Sequence, residues 1–458
     1  MQFCKSEKTL RADLLCVTLP EIKNVIMKTI DKDILAIALP SIVSNITVPL
    51  LGLVDVSIVG HMGDAVYIGA ISVGGMMFNV IYWIFGFLRM GTSGMTSQAY
   101  GRDDAAECVN MLVRSLVAGV GIGLLFVIMQ SVVGSLALAA MRPAADIARY
   151  ARVYFNVCIW GAPAMLGLYS LTGWYIGMQN TRVPMAVSVA QNVVNVITSL
   201  TFVYAFGMKV EGVALGTLVA QWAGFVLALA MVRLRYGRLV AGRVSAVALR
   251  DGKAMLCFFT VNRDIFVRTL FLVAVNLFFT SAGARQGALV LSANTMLFQL
   301  FTLYSFVMDG FAFAGEAIGG RYYGAGDRRM FLCTVKRLFF WGLALTLAYT
   351  LLYYLGAMPF FRVLTDEAGV LQTVADYLPW AVAIPAAGMG AFYWDGLYIG
   401  MTATKGMLVG TFAGAAAFFA TYGGLHEAMG NHALWLALIL YLLARGLAQA
   451  LLFKKYSL

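Results

Sequence analysis

The stretch FFWGLALTLAYTLLYYLGAMPFF, residues 339–361, contains no charged side chain. A helix rises 1.5 Å per residue, so about 20 apolar residues cross the ~30 Å hydrocarbon core of a bilayer. A second run, MLVRSLVAGVGIGLLFVIMQSVVGSLALAAM (111–141), carries Arg114 as its only charge. Lipid offers no partner for an open backbone N–H or C=O, so such runs span as helices. The whole chain fits that class. Of its 458 residues, 61% are hydrophobic and 12% charged, against about 25% charged in a soluble domain. That is too little polar surface to cover a water-soluble body of this size. The expected fold class is an all-α polytopic membrane protein.

The net charge of +11 reads as basic cytoplasmic loops rather than a nucleic-acid footprint. Residues 1–32 are mixed and basic, without a clean apolar core and a small-residue cleavage site, so no removable signal peptide is expected. Cys4, Cys16, Cys108, Cys158, Cys257 and Cys333 are scattered without a close pair, which suits apolar filling better than metal or redox use.

Polar breaks divide the chain into twelve spans, near 34–59, 66–98, 108–139, 146–176, 183–206, 211–234, 255–282, 287–320, 331–357, 369–400, 405–424 and 431–453. Between the sixth and seventh lies RLRYGRLVAGRVSAVALRDGK (233–253), with six basic residues and one acid. The expected organisation is a cytoplasmic segment 1–32, an amino-terminal six-helix lobe 33–236, a basic linker 237–253 and a carboxyl-terminal six-helix lobe 254–458. Lys and Arg gather at the amino terminus, Arg102, Arg182, the central loop, Arg328, Arg329, Lys405, Lys454 and Lys455. The positive-inside rule places both termini and the central loop in the cytoplasm, in the inner membrane of a cell.

The two halves echo one another. YIGMQNTR (175–182) returns as YIGMTATK (398–405), and Gly173 and Gly396 keep the same offset of 223. Pro163 and Pro385 lie at a similar depth in those spans. GFLRMG (86–91) returns as GFAFAG (310–315), offset 224, and YGRDD (100–104) as YGAGD (323–327), slipped by one residue. Order is kept and each half has an even number of spans. The repeat is therefore parallel, with its axis along the membrane normal. Two lobes around such an axis leave a cleft and can rock against each other, which points to alternating access and a transporter.

The segments PLLGLVDVSIVGHMGD (49–64), GFLRMGTSGMTSQAYG (86–101), NVVNVITSLTFVYAFGMKVEGVALGT (192–217) and DGFAFAGEAIGGRYYGAGD (309–327) resemble the multidrug and toxic compound extrusion (MATE) transporters, in particular their DinF-like branch. The resemblance runs from about residue 33 to the end. It implies two six-helix lobes, a V-shaped cleft, and efflux of organic, cationic or amphipathic compounds in exchange for protons or sodium ions, by a chain that works as a monomer. It implies no cofactor and no ATP, and the chain has no G-x-x-x-x-G-K-[ST] loop.

Ionisable groups in the bilayer are costly and need a reason. Asp55 lies deep in the first span, after Pro40 and Pro49, and Pro49 is expected to kink the helix and free carbonyls near Asn45. Asp55 is the sharpest candidate for coupling-ion or substrate contact; a carboxylate capped for helix packing is the plain alternative. Gln191, Asn192, Asn195 and Ser199 share a face of the fifth span and meet Asp55 if the first and fifth spans pack, as the resemblance implies. Many prokaryotic members of the family carry a second aspartate where this chain has Ser199. That departure puts a two-carboxylate relay in doubt and favours the proton, which needs one ligand, over sodium, which gathers several oxygens.

In the second half Asp309 and Glu316, seven apart, share a face of the eighth span, with Arg268 as a candidate counter-ion and Asp395 a further candidate. These are structural ion pairs or substrate and cation contacts. Arg89 lies near the cytoplasmic half of the second span, where it can snorkel. The 24 methionines offer adaptable contacts in a cleft. A flippase for lipid-linked saccharides is the alternative function, disfavoured by few intramembrane arginines. A membrane-embedded enzyme is less supported, because His61, His426 and His432 fall in or beside outward loops. No catalytic residue and no metal site is expected.

Overall fold

The computed structural model describes residues 19–60, 65–244 and 247–457. They are almost all helical, and no strand occurs among them. The first half comprises α1 (Leu19–Gly60), α2 (Ala65–Ile84), α3 (Phe87–Gly101), α4 (Ala105–Ile128), α5 (Gln130–Met141), α6 (Ala145–Cys158), α7 (Ala162–Gly177), α8 (Arg182–Leu200) and α9 (Val210–Val240). A single turn, Val247–Arg250, precedes the second half: α10 (Gly252–Ala284), α11 (Ala288–Ala314), α12 (Gly320–Gly324), α13 (Arg328–Leu364), α14 (Ala368–Gly400), α15 (Thr404–Met429) and α16 (Asn431–Tyr456).

Every expected span falls on helix, and nine helical stretches among the described residues are long and apolar enough to cross a membrane. Several spans are not continuous. The second breaks at Gly86, whose N–H bonds Trp83 three residues back at 3.1 Å. The third breaks at Met129, and the fourth at the tight turn Ile159–Gly161. Pro163 sits in the first turn of α7, where its missing N–H costs nothing, so the helix restarts there. Two wide π turns, Thr201–Ala205 and Gly315–Gly319, close α8 and α11. By contrast α1 is helical across both Pro40 and Pro49. Helix α9 extends to Val240, into the expected linker, and α10 starts at Gly252, where the Asp251 carboxylate accepts the N–H groups of Lys253 and Ala254 at 3.1 Å each. Cys4, Cys16, His61 and residues 1–18 of the expected terminal segment lie outside the described residues.

The sequence echoes are built as one structure made twice. Asp103 (φ 56°) and Gly326 (φ 71°) take the left-handed turn at equivalent places. One residue further, Asp104 caps α4 through Glu107 N–H at 2.9 Å, and Asp327 caps α13 through Met330 N–H at 3.0 Å. In the octapeptides Gln179 (φ 61°) and Thr402 (φ 52°) are the left-handed pair. Tyr175 Oη donates to Ala228 O at 2.8 Å, and Tyr398 Oη to Gln449 O at 2.7 Å.

Glycines let the halves meet. A Cβ on Gly101 would lie 1.9 Å from Arg321 O, and one on Gly324 would lie 2.3 Å from Gln98 O. Each contact involves the carbonyl three residues before the other glycine, which is the reciprocity of an isologous interface. Helix α1 packs on both α8 and α11, and α3 packs on α7 and α12. The core of the second half also takes in Ile30, Ile34, Ile37 and Ala38 of α1, Met95 of α3 and Ile176 of α7, whereas Ile58 and Val59 belong to a separate core of the first half. The halves are thus fused at the end carrying the basic loops.

Candidate functional site

Asp55, near the C-terminal end of α1, is 5% exposed. Its Oδ2 accepts from Thr217 Oγ1 of α9 at 3.4 Å, and Thr217 accepts from Asn195 Nδ2 of α8 at 3.1 Å. Gly216 makes this approach possible: a Cβ there would lie 2.1 Å from Ser199 Oγ. Three buried oxygens around this point, Asp55 Oδ1, Asn195 Oδ1 and Ser199 Oγ, have no hydrogen-bond partner among the described residues. A buried acceptor left open is expensive, so this cluster of oxygens has the chemistry to take up a proton or a cation.

The structure brings Asp55, Asn195 and Ser199 into one region and leaves Gln191 and Asn192 elsewhere. Asn192 Nδ2 donates to Thr47 O at 2.7 Å and ties α8 to α1; Gln191 Nε2 faces Met165 Sδ at 3.6 Å. Sharing a face with Asn195 is not enough, because α1 crosses α8 and only part of the stripe meets its C-terminal end. Thr217 and Gln221 were missed by sequence reasoning. They stand four apart in the apolar span VALGTLVAQWAG, and that i, i+4 polar pair is the signal that marks them.

In the second half Asp395 is 6% exposed and saturated. Its Oδ2 accepts from both Arg268 and Arg445, and its Oδ1 from Gln449 Nε2 at 2.6 Å. Arg268 therefore pairs directly with Asp395 and makes no salt bridge to Asp309 or Glu316. Arg445 and Gln449, again four apart, were not foreseen. Glu316, in the π turn, accepts from Arg89 Nη1 at 3.1 Å and from Ser93 Oγ. Arg89 does not snorkel: its guanidinium also lies 4.1 Å above the Phe313 ring. Asp309 is half-buried and makes no ion pair among the described residues, though Arg89, Arg268, Arg445 and Glu316 surround it.

A repeated bundle closed at one end, with buried acids in each half, defines a multi-pass membrane transporter. The MatE family model matches residues 40–201 and 265–419. DNA damage-inducible protein F of Escherichia coli (strain K12) is 34% identical over 93% of this chain and 92% of its own length. Human multidrug and toxin extrusion protein 1 is 25% identical over 64% of this chain and 51% of its own. Among solved structures, the Vibrio cholerae MATE transporter VcmN in its bent form superposes with a TM-score of 0.84 at 16% identity, covering 94% of this chain and 98% of that one. A transporter from Pyrococcus furiosus, described as having a binding pocket of reverse polarity, gives 0.83 at 16%, covering 93% and 95%. The chain belongs to the MATE family of multidrug and toxin extrusion transporters. It is accordingly a transporter and not an enzyme.

Proposed function

We propose that the chain is a secondary active antiporter that exports amphipathic organic compounds, cationic ones among them, in exchange for protons. The carrying observation is Asp55, buried with one oxygen on Thr217 and the other without a partner among the described residues, near the open oxygens of Asn195 and Ser199. A proton needs one of these oxygens. Sodium ion remains the alternative coupling ion, with the same acceptors as its ligands. Of the three second-half candidates, Asp309 is the one without an ion pair among the described residues and so free to contact a cationic substrate, since Asp395 and Glu316 are held by arginines. The chain acts as a monomer in the inner membrane with both termini in the cytoplasm, and the lobes 33–236 and 254–458 rock about the linker 237–253.

A flippase for lipid-linked saccharides gains some support from three arginines, Arg89, Arg268 and Arg445, of which the last two are under 6% exposed. Each nonetheless faces an acid within the protein, leaving little net charge for a diphosphate. The test is uptake of a fluorescent organic cation into proteoliposomes under an imposed proton gradient. Gradient-dependent uptake supports antiport; its absence, with the protein folded, removes this reading.

A further inference from the structure

The end of α9 combines two properties on one face. Along the span, Val219 (39% exposed), Trp222 (41%) and Val226 (58%) form an exposed apolar stripe. The stripe continues to Leu234 (76%), within a shallow, open groove lined by Arg233, Leu234, Arg235, Gly237, Arg238 and Ala241. The opposite side of this helix end is anchored. Tyr236 packs on Trp174 at 5.0 Å between ring centres, and its Oη accepts from Asn180 Nδ2 at 3.0 Å. The groove is therefore presented outward by a fixed helix.

Its arginines are available. Arg233, Arg235 and Arg238 make no ion pair among the described residues. Asp251, the one acid in 233–253, is engaged in capping α10. Arg243 turns back to donate to Leu239 O at 2.7 Å and closes the helix end.

We infer that this groove binds the headgroup of an anionic phospholipid. The phosphate lies among Arg233, Arg235 and Arg238, and the acyl chains lie along Leu234, Val226 and Trp222. A free phosphate would use the arginines alone; a lipid uses the arginines together with the apolar face that continues from them. Basic clusters at the interfacial end of a span recognise anionic lipid in this way, each residue contributing roughly a fivefold change in affinity. The same helix end leads directly into the connection between halves, so a bound lipid would bear on the segment about which they move.

The test uses the purified full-length protein with an equimolar mixture of phosphatidylglycerol and phosphatidylcholine of identical chains, and counts retained lipids by native mass spectrometry. The wild type should retain phosphatidylglycerol preferentially. Arg233→Gln/Arg235→Gln/Arg238→Gln should lose the preference, while Arg328→Gln/Arg329→Gln, at the exposed basic start of α13, keeps it. Matching thermal unfolding curves establish that the variants are folded. Excess glycerol 3-phosphate should leave the adducts in place. Equal retention in wild type and triple variant, equal loss in both variants, or displacement by glycerol 3-phosphate would each overturn the assignment.

Discussion

Arg89 of the first half and Glu316 of the second are joined at 3.1 Å, and the guanidinium also covers Phe313, the residue that matches Arg89 at the repeat offset of 224. The pair therefore sits close to the pseudo-symmetry axis, where the halves must part if the basic end is to open. Removing one partner leaves a buried charge and costs about 3–5 kcal/mol. Arg89→Ala and Glu316→Gln should each depress efflux and lower the thermal midpoint. The swap Arg89→Glu/Glu316→Arg should recover part of both. A swap no better than either single change would mean the pair does not hold the halves.

Asp55→Asn keeps the shape of the side chain and removes its ability to carry a proton. Gradient-driven efflux in proteoliposomes should vanish while insertion and thermal stability stay near wild type. Thr217→Val removes only the hydroxyl that touches Asp55, so it should leave partial activity. Wild-type pumping by Asp55→Asn would move coupling to the second half.

Proton and sodium coupling separate in one measurement. Liposomes carrying a sodium gradient, with pH equal on both sides, should show no uphill efflux, and a proton gradient alone should drive it. Robust transport on sodium alone would replace the proton assignment.

Close helix contact through glycine gives a stability prediction. A Cβ on Gly173 would lie 2.2 Å from Arg89 O, and one on Gly396 would lie 2.3 Å from Ala312 O. Both meet backbone, which cannot rotate away, so Gly173→Ala and Gly396→Ala should each cost about 1–3 kcal/mol, read as a lower thermal midpoint in detergent. Gly423→Ala, with nothing within 4 Å, should not.

For topology, single cysteines at Gly242 and Glu427, in a background without native cysteines, are labelled from outside intact cells. The residue at 427 should react and that at 242 should not. The reverse pattern would invert the arrangement.

Helical spans, their two-fold repetition and the placing of a lone carboxyl, Asp55, inside a span are legible in the chain itself. They depend on local properties: the length of apolar runs, recurrence of Gly, Asp and Tyr at one offset, and the cost of a lone carboxyl in lipid. The left-handed residues Asp103 and Gly326, and Gln179 and Thr402, show how closely the repeated letters specify repeated turns. Partnership was not legible. Asn192 and Asn195 share a helix face, yet one binds Thr47 and the other Thr217, because helix crossing decides which part of a stripe meets its neighbour. Arg268 pairs with Asp395 together with Arg445, and Arg89 reaches across the axis to Glu316. Those residues lie between 50 and 227 positions apart. Their charges meet only because glycine-lined helices close to within backbone contact at one end of the bundle, a distance that tertiary packing alone sets.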